Sequence, residues 1–321
     1  MTQSKTNVLI VGATGYIGGS VLAEILGSQD AQNLCVSALI RRPEQGARLE
    51  KLGVKPIEFQ GLDDLETCRE AASLIPTMTS GTSILGDHPY TGNPNPQKIW
   101  SDINDDIFHM EMYHPERYGQ RVTDIAVVET GQALGVKTYI VVPPTIYGKG
   151  SGPFATLSQQ VPNLARFARK LGVSPVIEGG QGTWNHVHIS DLSRLYLQLF
   201  RAIQEQPTWL PSGPRAIFFA ESGEHTWLQV SQGIAGALKR HNLLATAEVK
   251  QVSLQEAADY ITGGDVNFVE ITLASKKIHS ARARADFARE RLGWSPSHGD
   301  EEFLNHFEAE LDSMLEELAT A

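Results

Sequence analysis

Three regularly spaced glycines near the start of the chain could bind a phosphate group. Gly12, Gly15 and Gly18 follow the apolar run 8–11 and precede a helical pattern. The first glycine permits a tight turn, the second lets backbone approach a ligand, and the third allows close contact between helix and strand. Free N–H groups of the first helical turn would then bind a pyrophosphate, which predicts a dinucleotide site. The candidate cofactor-binding residues of this turn are Gly12, Thr14, Gly15, Tyr16, Ile17 and Gly18.

Two arginines indicate which dinucleotide binds. Arg41 and Arg42 follow the second predicted strand, residues 34–40, and this strand end carries no acid. An acid there would hydrogen-bond the adenosine ribose hydroxyls, whereas an arginine accommodates a 2′-phosphate. The sequence therefore favours NADP(H). NAD(H) stays open, because one arginine is alternatively a solvated loop charge.

Hydroxyl groups cluster further along the chain, at Ser80, Thr82 and Ser83. Any of them could polarise a substrate carbonyl oxygen, and hydrogen bonding within their own loop is the equal alternative. Ser83 lacks the G-x-S-x-G surroundings of an esterase nucleophile. His186 and His188 share one face of a predicted strand, but the nearby sequence offers no third ligand, so a metal site is not expected.

The composition is that of an ordinary globular protein. Of the 321 residues, 41% are hydrophobic and 20% are charged. No apolar run approaches the roughly 20 residues that span a bilayer, and residues 1–7 are too few for a targeting segment. Cys35, in a strand expected to be buried, and Cys68, in a helix, provide no disulfide framework. These features predict a cytoplasmic protein without membrane contact.

The net charge of −10 is concentrated at the C-terminus. Eight acids and no Lys or Arg lie within residues 300–321, where apolar residues recur at helical spacing. The segment predicts an amphipathic helix with an acidic outer face, and an acidic interaction tail is the alternative. Basic residues at 276–291 are interrupted by acids and lack interleaved aromatics, so nucleic-acid binding is not expected.

Strands and helices alternate around these segments. The first strand and helix are followed by predicted strands at 34–40 and 55–60, each leading to a helix, at 44–52 and 65–73. This order predicts an α/β fold with a right-handed parallel sheet. Further strands are predicted at 136–142, 184–191 and 216–220, with a helix over 116–134.

In their order, the landmarks resemble the short-chain dehydrogenase/reductase superfamily, in its extended or atypical branch of epimerase/dehydratase-like and NmrA-like proteins. The matching segments are GATGYIGG from Gly12, TSGTSILG at Thr79–Gly86, PPTIYG at Pro143–Gly148, HVHISDL at His186–Leu192 and LGWSP at Leu292–Pro296. The resemblance implies a Rossmann-type doubly wound parallel sheet. It places the NAD(P)-binding domain at 1–150 and a smaller, mainly substrate-binding lobe at 151–321, with strands returning to the sheet.

The resemblance also implies site residues and partners. The family's Pro-Pro-Thr-Ile-Tyr-Gly segment lies near the nicotinamide, which makes Pro143, Thr145 and Ile146 candidates. Asp63 matches the acid that approaches the adenine amine. The expected partners are a small-molecule substrate and a second copy of the chain, since family members often dimerise through helices beside the active site.

The chain departs from the family before the Ser/Thr-rich strand end. A strand–helix unit of roughly 30 residues is missing there, and Pro76 removes a ladder donor. Either the sheet is one strand short, or residues 74–79 fill the slot beside the first strand. Our hypothesis is a deletion, of splicing or gene-model origin, which a full intervening strand and helix would refute. Because the missing unit would wall the adenine pocket, reduced coenzyme affinity is expected.

A second departure affects the family's catalytic Ser/Thr–Tyr–Lys set. There the Tyr exchanges a proton with the substrate, and the Lys lowers the pKa of the Tyr. Aligning Asp124 and Gly131 with the family pattern puts Glu116 at the Tyr position and Gln120 at the Lys position. The Tyr/Lys pair is therefore absent in this register.

Two other tyrosines precede the same helix. Tyr118 has Val122 four positions on, whereas Tyr113 has Arg117, which could replace the lysine if Pro115 permits a turn. The candidate catalytic residues are Ser80, Ser83 and Tyr118.

The leading interpretation is an NAD(P)-dependent oxidoreductase or epimerase-like protein that acts on a small carbonyl or hydroxyl substrate by hydride transfer. Tyr118 or a water would handle the proton. One alternative is a non-catalytic NADP(H) sensor of the NmrA type, which lacks the Tyr/Lys pair. Another is a truncated form that folds poorly and binds nothing, because fold alone does not fix function.

Overall fold

The computed structural model describes residues 5–61, 77–86, 98–115, 117, 119–177, 179–266, 269 and 281–320. Its strands are β1 (Thr6–Ile10), β2 (Leu34–Ile40), β3 (Lys55–Glu58), β4 (Thr77–Thr79), β5 (Trp100–Ser101), β6 (Tyr139–Val142), β7 (Thr145–Tyr147), β8 (Ser174–Ile177), β9 (Thr183–His188), β10 (Ile217–Phe219), β11 (Gly223–Thr226), β12 (Val249–Val252) and β13 (Ala283–Arg284). Its helices are α1 (Tyr16–Gly27), α2 (Gly46–Glu50), α3 (Ile107–Tyr113), α4 (Gly119–Leu134), α5 (Gln160–Leu171), α6 (Ile189–Glu205), α7 (Trp227–Arg240), α8 (Leu254–Ile261), α9 (Asp286–Glu290), α10 (Asp300–Asn305) and α11 (Phe307–Thr320).

The strands at the start of the chain form a parallel sheet in the order β1-β2-β3. Residues of β2 alternate in burial, with Leu34 and Val36 inside. Cys35, between them, is exposed and not buried as expected, because successive strand residues face opposite sides. α1 packs on the inner side, where Leu22 and Ile25 join the core of this sheet.

A second parallel sheet has the order β10-β6-β4. All four residues of β6 and all three of β10 are buried, as a sheet covered on both faces requires. Two further parallel pairs are β12-β8 and β13-β5, while β11 runs antiparallel to β9, which is parallel to β7.

β1 is less buried than its sequence suggests. An unbroken apolar run such as 8–11 is typical of a parallel strand buried on both faces, but β1 is only half-buried over Val8–Ile10, and Val11 beyond it is 55% exposed. Among the described strands, β1 pairs with β2 alone, and β4 pairs with β6. The alternative in which residues 74–79 fill the slot beside β1 is therefore wrong for Thr77–Thr79. A strand and helix of roughly 30 residues do not fit between Glu58 and Thr77.

Helix packing joins the two halves of the protein. α1 lies against α6, and Leu197 of α6 belongs to the core around β1 and β2. At the outer end of this contact, Arg201 Nε donates to Asp30 Oδ2 at 2.7 Å. The glycine-rich turn before α1 is thereby fixed relative to β6, β7 and β9.

The acidic C-terminal segment forms α10 and α11, separated at His306, and not the single helix expected. Phe303 and Phe307 on either side of the break are both buried, as are Leu311 and Met314. In the described part of the chain, no helix has the length and apolar character needed to cross a membrane.

Candidate active site

The glycine-rich turn has the geometry that its spacing predicts. Gly12 has φ +78°, a conformation that favours glycine, and its carbonyl accepts the Gly15 N–H at 2.8 Å. A Cβ on Gly18 would lie 2.3 Å from the Gly12 carbonyl oxygen, so the close contact made by Gly18 is with the turn itself. No side chain caps the first turn of α1, for which Gly15 is the N-cap. The backbone of the glycine-rich turn is therefore accessible to an anionic ligand at the N-terminus of α1.

Side chains of the same turn reach into the rest of the protein. The Tyr16 hydroxyl donates to the Gly148 carbonyl at 2.6 Å, and burial raises the pKa of Tyr16 well above its usual value. Ile17 packs against the larger core. The Thr14 carbonyl accepts the Ala155 N–H at 3.5 Å. Of these residues, Tyr16 therefore offers a ligand its backbone N–H, while its hydroxyl is engaged elsewhere.

The two arginines lie on the surface directly after β2. Arg42 pairs loosely with Glu44 at 3.7 Å, with about 70% of each side chain exposed. Arg41 is also exposed. Because β1 and β2 are parallel, the arginines and the glycine-rich turn occupy the same edge of the sheet. Asp63 lies outside the described residues.

The Pro143–Ile146 segment joins β6 to β7. The Pro143 carbonyl accepts the Thr82 N–H at 3.0 Å, which brings the Thr82–Leu85 turn to the carboxyl end of β6. Thr145 is buried and its hydroxyl has no hydrogen-bond partner among the described residues, while Ile146 is half-buried. The structure thus groups two segments that the sequence presents 60 residues apart.

Ser83 and Gln120 meet at this site. The Ser83 hydroxyl donates to the Gln120 side-chain oxygen across the gap between the Thr82–Leu85 turn and α4. Gln120 is the residue that the family register assigns to the Lys position. A neutral amide supplies no positive charge to lower the pKa of a nearby tyrosine.

A buried pair of carboxyl groups lies beside Ser80. Ser80 Oγ donates to Asp124 Oδ2 at 2.5 Å, and Asp124 neighbours Glu111 of α3. Both carboxylic side chains are essentially inaccessible to solvent. Burial, together with repulsion by Asp124, raises the pKa of Glu111 to about 9. Burial raises the pKa of Asp124 to about 6, against the effect of the Ser80 hydrogen bond. The pair therefore holds a proton at neutral pH.

A buried arginine fixes the turn that carries Ser83. Arg121 donates from Nε and Nη2 to the Ile84 carbonyl at 2.9 and 2.6 Å, and from Nη2 to the Gly86 carbonyl at 2.9 Å. Its Nη1 lies 2.8 Å from His114 Nδ1. Sequence reasoning did not find this role, because Arg121 was one polar residue of an amphipathic helix.

Comparisons with known proteins place these features in a common fold. No family model matches the chain. It is 24% identical to an oxidase, ucsJ, from an Acremonium species, over 78% of this chain and 84% of that protein. It is 23% identical to an uncharacterised protein of Schizosaccharomyces pombe, over 91% of this chain and 95% of that protein.

Solved structures agree over nearly the whole chain. A dTDP-glucose 4,6-dehydratase from Bacillus anthracis, in complex with NAD, superposes with a TM-score of 0.62 at 10% identity, covering 96% of this chain and 97% of that one. A UDP-glucose 4-epimerase from Thermotoga maritima gives 0.57 at 13% identity, covering 97% and 100%. The chain has the fold of these enzymes. The predicted Rossmann-type α/β fold is confirmed.

Of the two tyrosines considered for proton transfer, Tyr113 alone lies among the described residues. Tyr118 lies outside the described residues, as does Glu116. Tyr113 is 73% exposed on the outside of α3, and Arg117 Nη2 donates to the Met112 carbonyl at 3.1 Å. The Tyr113 and Arg117 side chains therefore face solvent and backbone respectively.

Five histidines form a cluster with Tyr147, three of them in direct ring contact with it and two through a neighbouring histidine. They come from three separate regions of the chain and are His186, His188, His225, His298 and His306. Burial lowers the pKa of both His186 and His188 to about 4. Sequence reasoning found the pair in β9 only, because the other three rings arrive from distant segments.

Asp191, the kind of residue that often caps a helix, does not cap α6. The N-cap of α6 is His188, whose ring accepts the Ser190 N–H at 3.2 Å. Asp191 instead accepts the N–H groups of Ser297 and His298 at 3.0 Å each. These bonds hold its pKa below the usual value although burial opposes ionisation. Asp191 thus ties the Leu292–Pro296 region to α6.

Proposed function

We propose that the protein is an NADP(H)-binding oxidoreductase that exchanges hydride with a small carbonyl or hydroxyl substrate. The observation that carries the proposal is the glycine-rich turn, in which a Cβ on Gly18 would collide with the Gly12 carbonyl. This backbone is shaped for a ligand that needs close approach to N–H groups, as a pyrophosphate does. The similarity to a named oxidase and to the fold of an NAD-bound dehydratase supports the same class.

The residues present fit a dinucleotide. The open backbone of Gly12–Gly18 would hold the pyrophosphate, and Arg41 and Arg42, free of strong ion pairs among the described residues, would hold a 2′-phosphate. Pro143, Thr145 and Ile146 would flank the nicotinamide, and Asp63 would approach the adenine. When bound, the nicotinamide would supply or accept the hydride.

The chain itself would orient the substrate and handle the proton. Ser83 lies on a turn fixed by Arg121 and could direct its hydroxyl to a substrate oxygen, releasing Gln120. Ser80 is hydrogen-bonded to Asp124, and the proton shared by Asp124 and Glu111 lies one step behind it. The predicted group that exchanges a proton directly with the substrate is still Tyr118 or a water molecule.

A non-catalytic NADP(H) sensor is the second candidate. It is favoured by one observation, the amide of Gln120 beside Ser83 where the family has its lysine. Such a protein would bind coenzyme through the same turn and change partners with the redox state. We further propose a cytoplasmic setting and a homodimer built through helices beside the site.

Binding and turnover separate these functions. Purified protein is titrated with NADPH while its fluorescence is followed, and a panel of aldehydes and ketones is then added while NADPH absorbance is recorded. Consumption of NADPH with any carbonyl supports the oxidoreductase. Binding without turnover supports the sensor, and binding of neither NADPH nor NADH contradicts both.

A further inference from the structure

The segment between β7 and α5 lies against the start of α1. This segment, residues 148–158, is called the bridging loop. The Tyr16 hydroxyl donates to the Gly148 carbonyl at 2.6 Å, and the Ser151 N–H donates to Ser20 Oγ at 3.2 Å. Both bonds reach the first turns of the helix that follows the glycine-rich turn. The position of the bridging loop therefore bears directly on the position of α1.

Backbone contact reinforces these hydrogen bonds. A Cβ on Gly152 would lie 2.8 Å from the Cα of Gly19, so loop and helix touch without side chains between them. The Ala155 N–H approaches the Thr14 carbonyl within the glycine-rich turn at 3.5 Å. Such close packing transmits a displacement of the loop to the turn, because interiors tolerate little overlap.

Both ends of the bridging loop converge on one carboxylate of the C-terminal helix. The Gly148 N–H donates to Glu310 Oε1 at 2.5 Å, and the Ser158 hydroxyl donates to Glu310 Oε2 at 2.7 Å. Glu310 is 3% exposed, whereas neighbouring acids of α11, such as Asp312 and Glu316, face solvent. A buried carboxylate costs free energy unless it is hydrogen-bonded, and these two donors satisfy both of its oxygens.

The Gly148 end of the loop has little freedom to move. Gly148 has φ +94°, and a Cβ there would lie 2.1 Å from His188 Nε2. The Gly148 carbonyl accepts a hydrogen bond from Tyr16 and the Gly148 N–H donates one to Glu310. This single residue therefore connects α1 to α11. The sequence distance between Gly148 and Glu310, 162 residues, excludes a merely local role for this contact.

We propose that Glu310 is a positioning residue for the dinucleotide site, acting through the bridging loop and Tyr16 on the first turn of α1. The inference rests on the proposed function, because it assigns Glu310 an effect on coenzyme affinity. Glu310 is too deeply buried in the contact between α11 and the loop to touch the ligand itself. Its contribution is to hold the N–H groups of α1 where a pyrophosphate would bind.

The test measures the dissociation constant for NADPH, by fluorescence titration, in full-length variants whose cooperative unfolding is checked by circular dichroism. Glu310→Ala should raise the Kd about tenfold, as expected for lost charge-assisted hydrogen bonds. Glu310→Gln, which keeps an acceptor for Gly148 and a polar group for Ser158, should restore the Kd to within about threefold of wild type. Glu308→Ala, on the same helix and paired with Arg240, is the matched control and should leave the Kd unchanged.

A double-variant cycle separates positioning from general destabilisation. Tyr16→Phe alone should raise the Kd about fivefold, and adding it to Glu310→Ala should raise the Kd no further, because both changes break one connection. If Glu310→Ala does not fold, Ser158→Ala takes its place in the cycle. Lower stability with an unchanged Kd, or fully additive effects, would overturn the inference. Failure of the wild type to bind either coenzyme would instead overturn the proposed function, and the inference with it.

Discussion

The Ser83 hydroxyl donates to the side-chain oxygen of Gln120, at the point where the family that the chain resembles carries a lysine. Gln120 is the residue that the alignment drawn from Asp124 and Gly131 assigns to the lysine position. Its side chain is a neutral amide and supplies no positive charge there. The chain must therefore obtain a proton by other means or carry out no proton transfer at all.

Removing the Ser83 hydroxyl tests whether it acts on the substrate. Ser83→Ala should lower kcat about a hundredfold on a carbonyl that the wild type reduces, because a preorganised donor to the substrate oxygen is lost. The Kd for NADPH should change less than about twofold, since Ser83 does not belong to the glycine-rich turn. Ser313→Ala, which removes an exposed helical hydroxyl, is the control. Equal kcat values for Ser83→Ala and wild type would exclude a catalytic role.

Two glycines of α1 form a matched pair for testing whether the glycine-rich turn binds the coenzyme. Gly18→Ala would place a Cβ 2.3 Å from the Gly12 carbonyl oxygen and should abolish measurable NADPH binding. At Gly27, the last residue of the same helix, a Cβ meets nothing within 4 Å. Gly27→Ala should bind NADPH normally and gain about 0.5 kcal/mol of stability. Equal affinities in calorimetric titrations of the two variants would contradict the role given to Gly18.

The buried carboxyl pair should give the protein a characteristic pH dependence. Burial raises the pKa of Glu111 to about 9, so the folded state binds a proton that the unfolded state has released above pH 4.5. The contribution of Glu111 to stability is therefore greatest below that pH and is lost as pH rises towards 9. Between pH 5 and 9, wild type should lose about 5 kcal/mol of unfolding free energy relative to Glu111→Gln.

Urea unfolding at several pH values measures this difference. Glu129→Gln, at an exposed position of α4, is the matched control and should parallel wild type over the whole range. A constant gap between wild type and Glu111→Gln would show that Glu111 titrates normally in the folded protein.

The histidine cluster should lower the stability of the protein as the pH falls, whereas Glu111 lowers it as the pH rises. Burial, the neighbouring rings of His298 and His306, and Arg194 lower the pKa of His188 to about 4, against the effect of Asp191. In the unfolded chain, His188 therefore binds a proton below about pH 6.5, whereas in the folded chain it binds one only near pH 4. Stability due to His188 is complete above pH 6.5 and is lost as pH falls.

His188→Asn, which keeps a side-chain acceptor at the N-cap of α6, should lessen this acid sensitivity by about 2 kcal/mol between pH 7 and 4.5. Thermal unfolding monitored by circular dichroism is a suitable measurement. His109→Asn, on the exposed side of α3, is the control. A variant that loses stability with acid as steeply as wild type would contradict the assignment.

Local patterns predict the elements of this fold better than its contacts. The apolar run at 34–40 coincides with β2, because strand alternation and its flanking residues are local properties. The apolar run 8–11 overstates the burial of β1, because burial depends on neighbouring strands and β1 pairs with β2 alone among the described residues. The break at His306 was also missed, because it follows from Phe303 and Phe307 both packing inward.

In the candidate site, too, residues that act locally could be predicted from the sequence, and residues that act through distant contacts could not. Gly12 and Gly18 could be assigned from spacing, because the turn is made by a few consecutive residues. Glu310 could not, since an acid in an acidic amphipathic helix gives no sign of a partner 162 residues away. Arg121 was likewise hidden, because its acceptors are backbone carbonyls that carry no sequence signal.

The most direct test of the account is isothermal titration calorimetry of the folded wild type with NADPH and NADH, repeated on Arg41→Ala/Arg42→Ala. We expect saturable binding of NADPH at one site and weaker binding of NADH. The variant should lose about 1 to 3 kcal/mol of binding free energy for NADPH alone. Absence of binding heat with both coenzymes on well-folded protein would contradict the proposed coenzyme site.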